Sequence, residues 1–314
     1  MNHSETGVPA SPPTDRSRSI ERLLFVADAT VADVEELPPA VRAVIDAATD
    51  VYVVTPTLPG RLAWLADDVD RFRHVADERL DTVLGHMHSI GAHASGLAGR
   101  GSVPLVIADA VADFEPDHVL IALRSAEHAN WQERRLLEHI EQRFGLPLTT
   151  YAVDARGHTS AGDGPLLLCY DGSEHARHAI ERAGALFAGR PALVVTVWQG
   201  PQLGSLAWAG ATATMDPFVE TARSAAERAG RLAEDGVGIA QLVGLNAEPS
   251  GVEADGPVWR TILDLADRHD AATIVMGSRG LGGIHAIVLG SVSSAVVLHA
   301  TRPMLVVPRV LVRA

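Results

Sequence analysis

The sequence has a single cysteine, Cys169, among its 314 residues. One thiol cannot form a disulfide within the chain or build a cysteine-based metal site, so a reducing cytoplasm fits best. Aromatic residues are also scarce, at 4% of the sequence. The cores must therefore be mainly aliphatic, and the 47% of hydrophobic residues is sufficient for that.

Positive charge is also in short supply, because the formal net charge is −13. Nucleic acid and anionic membranes attract clustered basic residues, so we expect neither as the principal partner. No segment is long and uncharged enough to span a bilayer, and the Pro- and Ser-rich residues 1–19 lack the apolar core of a signal peptide. We expect residues 1–19 to form a disordered tail and the protein to be cytoplasmic.

The length predicts two domains, and each half of the sequence alternates apolar runs with amphipathic segments. In the second half a helix is predicted at about 216–234, and strands are predicted at 166–171, 192–198, 238–245, 272–277 and 303–308. In the first half helices are predicted at about 59–90 and 124–145, and strands at 23–28, 51–56, 93–97, 118–123 and 147–153. Such alternation indicates parallel sheets covered on both faces.

The segment 154–164 is rich in Gly, Asp, Ser and Thr and has no periodicity, so it is predicted to be a linker. The fold expected is α/β, with two tandem, doubly wound, mostly parallel five-stranded sheets. Their boundaries are predicted at 20–153 and 165–314. The last strands of the two repeats are both apolar, and we expect them to pair, within one chain as a pseudo-dimer or between chains as a homodimer.

The segment 277–294 reads GSRGLGGIHAIVLGSVSS and follows the end of a predicted strand. Ser291 is a good N-cap for the helical segment that follows, so the N–H groups of residues 291–293 should be free to bind phosphate. Glycines would let the main chain approach the anion closely and adopt positive φ. The first repeat has no glycine between Arg124 and Gly145, so we expect only the second repeat to bind.

The spacing of Gly277, Gly280 and Gly290 with Ser291 resembles the nucleotide-binding signature of the universal stress protein (UspA) family. Three further stretches are similar to strands of that family, namely CYDGSEHARHA (169–179), AATIVMGSRG (271–280) and RPMLVVP (302–308). The resemblance implies a tandem two-domain member with a Rossmann-like, adenine nucleotide alpha hydrolase-like fold. It also implies a bound adenine nucleotide, ATP with or without Mg²⁺.

The resemblance implies a role for each matching residue. Asp171 would face the adenosine, and the main chain of Val197 would contact adenine. His285 stands where many members carry arginine. Apart from the resemblance, Arg279 lies between two of the glycines and could reach the phosphates or the partner domain. The ribose and phosphates would be surrounded by Met276, Gly277, Gly280, Gly290, Ser291, Val292 and Ser293.

Several residues also have simpler interpretations. Asp171 could be only a turn residue, Ser173 is expected to be a helix N-cap, and Cys169 a core residue. His86, His88 and His93 have loosely metal-like spacing but no paired carboxylates beside them.

No nucleophile, general base and oxyanion donor can be grouped, so a regulatory, stress-related binding module is favoured over an enzyme. A slow ATPase or autophosphorylating protein, and a structural dimerisation protein with an empty pocket, remain alternatives.

Overall fold

The structure is a computed structural model that describes residues 19–27, 37–56, 69–99, 103–124, 145–153, 159, 162–200, 216–279 and 290–308. It contains ten strands: β1 (Ile20–Ala27), β2 (Ala48–Pro56), β3 (Ala94–Gly99), β4 (His118–Arg124), β5 (Leu148–Val153), β6 (Leu166–Cys169), β7 (Pro191–Trp198), β8 (Asn246–Glu253), β9 (Thr273–Gly277) and β10 (Met304–Val307). The described helices are α1 (Pro39–Asp46), α2 (Val69–Ser89), α3 (Val103–Phe114), α4 (Glu174–Phe187), α5 (Asp216–Leu242), α6 (Val258–Arg268) and α7 (Ser291–His299).

All ten strands form one sheet in the order β3-β2-β1-β4-β5-β10-β9-β6-β7-β8. Each half contributes five parallel strands in the same relative order, and helices lie on both faces. The α/β, mostly parallel fold predicted from the sequence is therefore confirmed. The two five-stranded units are joined into one sheet by β5 and β10, which pair antiparallel within the chain, with Met304 opposite Thr150.

Two aliphatic layers hold the helices against the sheet. In the second half, one layer packs α4 and α5 on one face, with Ile180 and Ile239 buried near Leu168. The other layer packs α6 and α7 on the opposite face, with Ile262 and Val296 buried. The strands at the centre of this half are thus covered on both sides, which explains their unbroken apolar sequences.

The strand predicted at 238–245 is wrong, because these residues end the long helix α5 and begin the turn after it. The buried positions Ala229, Ala233 and Ala240 recur at helical spacing and continue through the apolar run. The third strand of this half is instead β8, whose sequence NAEPSGVE is polar. Since β8 is an edge strand with most of its side chains exposed, it lacks the apolar run that identifies a buried strand.

The end of the predicted linker is anchored to the second half. The N–H of Gly164 donates to the main-chain O of Asp270 at 2.9 Å, and the N–H of Asp163 donates to the Asp270 carboxylate at 3.2 Å. Arg302 binds the same carboxylate at 2.9 Å. A side chain at Gly164 would collide with the main chain of His269, so this approach requires glycine.

Some sequence predictions lie outside the described residues, namely the tail at 1–18, the start of the helix at 59–90 and almost all of the helix at 124–145. Of the helices that the structure describes, none combines the length and apolar character needed to cross a bilayer.

Candidate functional site

The candidate site lies where the strand order of the second half reverses. β6 pairs with β9, with Leu168 beside Val275, although β7 follows β6 in the sequence. Open α/β sheets bind ligands beyond the carboxyl ends of their strands at such a reversal. Asp171 follows β6 there, and Met276 and Gly277 end β9. The structure therefore brings these three predicted residues to one end of neighbouring strands.

The start of α7 is fixed to the end of β9. The N–H of Gly290 donates to the main-chain O of Ser278 at 2.7 Å, and the N–H of Ser278 donates to the O of Val307 at 2.9 Å. Ser278 was not predicted as a site residue, and no sequence signal marks it because it acts through its main chain. The two bonds join α7, β9 and β10 at the point where a ligand would approach.

The N-cap of α7 is Gly290, with φ −60° and ψ 153°, and not Ser291 as the sequence suggested. Ser291 is the first residue of the helix. Among the described residues, no side chain caps the free N–H groups of Ser291, Val292 and Ser293. An uncapped helix start concentrates partial positive charge and hydrogen-bond donors, which is the arrangement that binds phosphate.

Two of the three serines of α7, Ser291 and Ser293, are predicted site residues, and their environments differ. Ser293 is buried, and its Oγ donates to the main-chain O of Gly277 at 3.0 Å. Ser291 is exposed at the helix start. Only the Ser291 hydroxyl is therefore open to a ligand in this arrangement, while the Ser293 hydroxyl stabilises the junction between α7 and β9.

Gly277 has a packing reason to be glycine. A Cβ at this position would lie 2.7 Å from the Cβ and carbonyl carbon of His175 and 2.9 Å from the N of Ala176. These atoms belong to the first turn of α4, so the helix approaches β9 at a distance that a side chain would prevent. Neither Gly277 nor Gly290 has positive φ, whereas Gly172, after Asp171, has φ +83°.

Asp171 forms the turn between β6 and α4. Its Oδ1 accepts a hydrogen bond from the N–H of Ser173 at 3.0 Å, and the Ser173 Oγ accepts from the N–H of Ala176 at 3.2 Å. The prediction that Ser173 is an N-cap is thus confirmed. Asp171 is half-buried and has the turn role that the sequence also allowed. Its contact with a ligand stays a prediction.

Val197 of β7 has main-chain groups directed toward the site. The N–H of Tyr170, just beyond β6, donates to the O of Val195 at 2.9 Å. Because main-chain direction alternates along a strand, Val197 turns its N–H and C=O to the same side as Val195. Since β6 ends at Cys169, these groups face the space beyond that strand end. The main-chain contact of Val197 to adenine stays a prediction.

The charges around the site are few. Burial, with a smaller contribution from the nearby Asp171 carboxylate, raises the pKa of Cys169 to about 12, so this thiol is unreactive near neutral pH.

Arg279 is half-buried, two residues after Gly277. Gly280 and His285 lie outside the described residues. The chain contains no lysine, so any basic side chain that meets a phosphate must be an arginine or a protonated histidine.

Two of the three histidines with metal-like spacing, His88 and His93, have separate partners. His88 Nε2 lies 3.0 Å from the main-chain O of Ala94, and His93 Nδ1 lies 2.7 Å from the carboxylate of Asp50. Within the described ranges, no three His, Cys, Asp or Glu side chains are grouped as a metal site requires.

Comparison with known proteins gives a consistent assignment. The model of the universal stress protein family matches residues 164–308. A universal stress protein of Thermus aquaticus is 34% identical over 145 residues, which cover 45% of this chain and 96% of that protein. Universal stress protein YxiE of Bacillus subtilis is 29% identical over 154 residues, covering 45% and 97%.

A solved universal stress protein from Archaeoglobus fulgidus has the same doubled fold. It aligns with 91% of this chain and 96% of its own, with a TM-score of 0.57 and 17% identity. At this identity the likeness concerns the fold, and it extends over both halves. The sequence match to nearly the whole length of the Thermus aquaticus protein shows that the chain belongs to the universal stress protein family, and the family model and the likeness of the fold agree.

Proposed function

We propose that the second half of this chain binds one adenine nucleotide, ATP, beyond the ends of β6 and β9. The observation that carries the proposal is the uncapped start of α7, which the bond from Gly290 N to Ser278 O fixes at the strand-order reversal. Its three free N–H groups are donors suited to a phosphate chain. Membership of the family and the glycine spacing of the sequence support the same interpretation.

The nucleoside would lie across the ends of β6 and β7. The main-chain N–H and C=O of Val197 offer the donor and acceptor that an adenine edge requires, and Asp171 lies beside them at the end of β6. A carboxylate there would accept hydrogen bonds from ribose hydroxyls. The arrangement separates a nucleoside end from a phosphate end, as a nucleotide-binding crevice must.

We infer that this site binds and does not catalyse. Within the described part of the site, Ser173 caps α4 and the Cys169 thiol is held protonated by burial, so neither is a nucleophile. A nucleotide-binding module that regulates a stress response in the cytoplasm fits these features.

Native mass spectrometry of the freshly purified chain tests the proposal directly. A co-purified adenine nucleotide, with ATP restoring the mass shift after its removal, is expected. Titration calorimetry should give one nucleotide per chain, because the sequence of the first half lacks the glycines. A stoichiometry of two would contradict this assignment to the second half, and ADP release above that of a Gly290→Val variant would favour a slow ATPase.

A further inference from the structure

The two edges of the ten-stranded sheet differ in how they are protected. The β8 edge contains Pro249, Glu248 and Glu253, and proline and charge both discourage pairing with another strand. The β3 edge has the sequence ASGLAG, with no charge and no proline. No strand of the described residues pairs with the outer side of β3. Within the described residues, the outer side of β3 is therefore unpaired and is a candidate edge for strand addition.

The main chain of β3 offers hydrogen-bonding groups on that outer side. The O of His93 accepts from the N–H of Val51 at 2.9 Å, so position 93 faces β2. Direction alternates along a strand, and Gly96 and Ala98 consequently turn their N–H and C=O groups outward. An added strand would find a ladder of donors and acceptors there.

A groove of about 510 Å³ runs beside this edge, between β3, α2 and α3. Its apolar lining residues include Tyr52, Val54 and Val106. Leu97, which lines the groove, is 57% exposed, and the neighbouring Leu105 is 54% exposed. Large apolar side chains this exposed beside an open strand edge favour a protein or peptide partner.

The described lining of the groove is negatively charged, which favours a partner with basic side chains. Asp77, Asp109 and Asp113 line it, no basic residue does, and none of the three carboxylates forms an ion pair among the described residues. Asp109 and Asp113 stand four residues apart on α3, a like-charge pair that destabilises a helix. A second copy of this chain paired edge to edge would bring two such sets of carboxylates together, which disfavours a symmetric dimer here.

We propose that β3 binds an extended peptide segment in which basic side chains flank apolar ones. The segment adds as a strand to β3, places its apolar side chains in the groove, and directs its Arg or Lys side chains to the three aspartates. This interaction surface lies in the first half and is independent of the proposed nucleotide site.

Fluorescence anisotropy with a labelled Arg-Val-Leu-Val-Arg peptide and the full chain tests the proposal. We expect saturable binding that weakens with added salt, because the exposed ion pairs are screened. The charge-reversed peptide Glu-Val-Leu-Val-Glu should not bind. Arg-Val-Pro-Val-Arg should bind more weakly, because proline removes a main-chain donor. Equal binding of the charge-reversed peptide would overturn the proposal.

Variants locate the binding. Asp109→Asn with Asp113→Asn should weaken peptide binding at least about threefold, by loss of two exposed ion pairs. A matched control, Glu220→Gln with Glu234→Gln on α5, changes the net charge equally and should have no effect. Leu97→Arg should abolish binding, since it places a like charge at the edge. Unchanged binding in both groove variants, with the fold intact by circular dichroism, would show that the peptide binds elsewhere.

Discussion

Ser293 donates a hydrogen bond from its Oγ to the main-chain O of Gly277 at 3.0 Å. This bond connects the first turn of α7 to the end of β9, and the bond from Gly290 N to Ser278 O supports the same junction. The uncapped N–H groups of α7 are thus held in place before any ligand arrives. A donor set that is already positioned loses less conformational entropy on binding.

Gly277→Ala should destabilise the fold. The Cβ of the new alanine would lie 2.7 to 2.9 Å from atoms in the first turn of α4, so either α4 or β9 must shift. Overpacking of this kind costs about 1–3 kcal/mol in the free energy of unfolding, measured by denaturant titration. Gly230→Ala on α5 is the matched control, since nothing lies within 4 Å of its added Cβ. Gly230→Ala should be neutral or stabilising, and equal behaviour of the two variants would refute the packing role of Gly277.

Two substitutions at Asp171 separate its turn role from a ligand role. Asp171→Asn keeps an oxygen that can accept from Ser173 N, so the fold should remain stable, whereas Asp171→Ala also loses the 3.0 Å turn bond. Both variants should lose selectivity for ATP over inorganic triphosphate in competition titrations, because the proposed partner of the carboxylate is the nucleoside. If Asp171→Asn keeps full selectivity, the residue is only a turn residue.

His118 should make stability depend on pH. Burial, and secondarily the charge of Arg182, lower its pKa from 6.5 to about 3. The ring lies against Thr149 Oγ1 at 2.8 Å and Arg182 at 3.4 Å. In the unfolded chain the His118 ring takes up a proton below about pH 6.5, whereas in the folded chain it does so only near pH 3. The free energy of unfolding therefore does not depend on His118 protonation above pH 6.5. As pH falls from 6.5 toward 3, the free energy of unfolding decreases by up to ~1.4 kcal/mol per pH unit.

The comparison of the parent chain with His118→Gln isolates this effect. The difference in unfolding free energy should be constant above pH 7 and should move in favour of the variant between pH 6.5 and 4. Urea titrations at several pH values measure it. Parallel stability curves across that range would mean that His118 is not held neutral.

The buried strands could be predicted from the sequence because burial on both faces requires unbroken apolar runs. Their positions agree closely at β1, β2, β4, β5, β9 and β10. The polar edge strand β8 could not be found in this way, whereas the apolar run at the end of α5 has the composition of a strand. Short apolar runs do not distinguish a helix end from a strand when considered alone.

The site could be predicted in part. The spacing of Gly277 and Gly290 predicts a crevice at the end of β9, but it does not show that close packing is what requires glycine at position 277. Close packing of α4 on Gly277 and the main-chain role of Ser278 depend on contacts between distant segments. Main-chain contacts leave no residue preference that a single sequence can show.

The central claim is that the main-chain N–H groups at the start of α7 bind the phosphates of ATP. Gly290 has φ −60°, which other residues adopt readily, so Gly290→Val introduces a side chain without backbone strain. That side chain would stand at the helix start in the path of the anion. Ser291→Ala removes only one exposed hydroxyl, and a lost hydrogen bond to a charged group reduces affinity about ten- to a hundredfold.

Titration calorimetry of ATP against the parent chain, Gly290→Val and Ser291→Ala, each with its fold verified by circular dichroism, is the most direct measurement. We expect one ATP bound per parent chain, weaker binding by Ser291→Ala, and no measurable binding by Gly290→Val. Binding of ATP by Gly290→Val with the affinity of the parent chain would contradict a phosphate site at the start of α7.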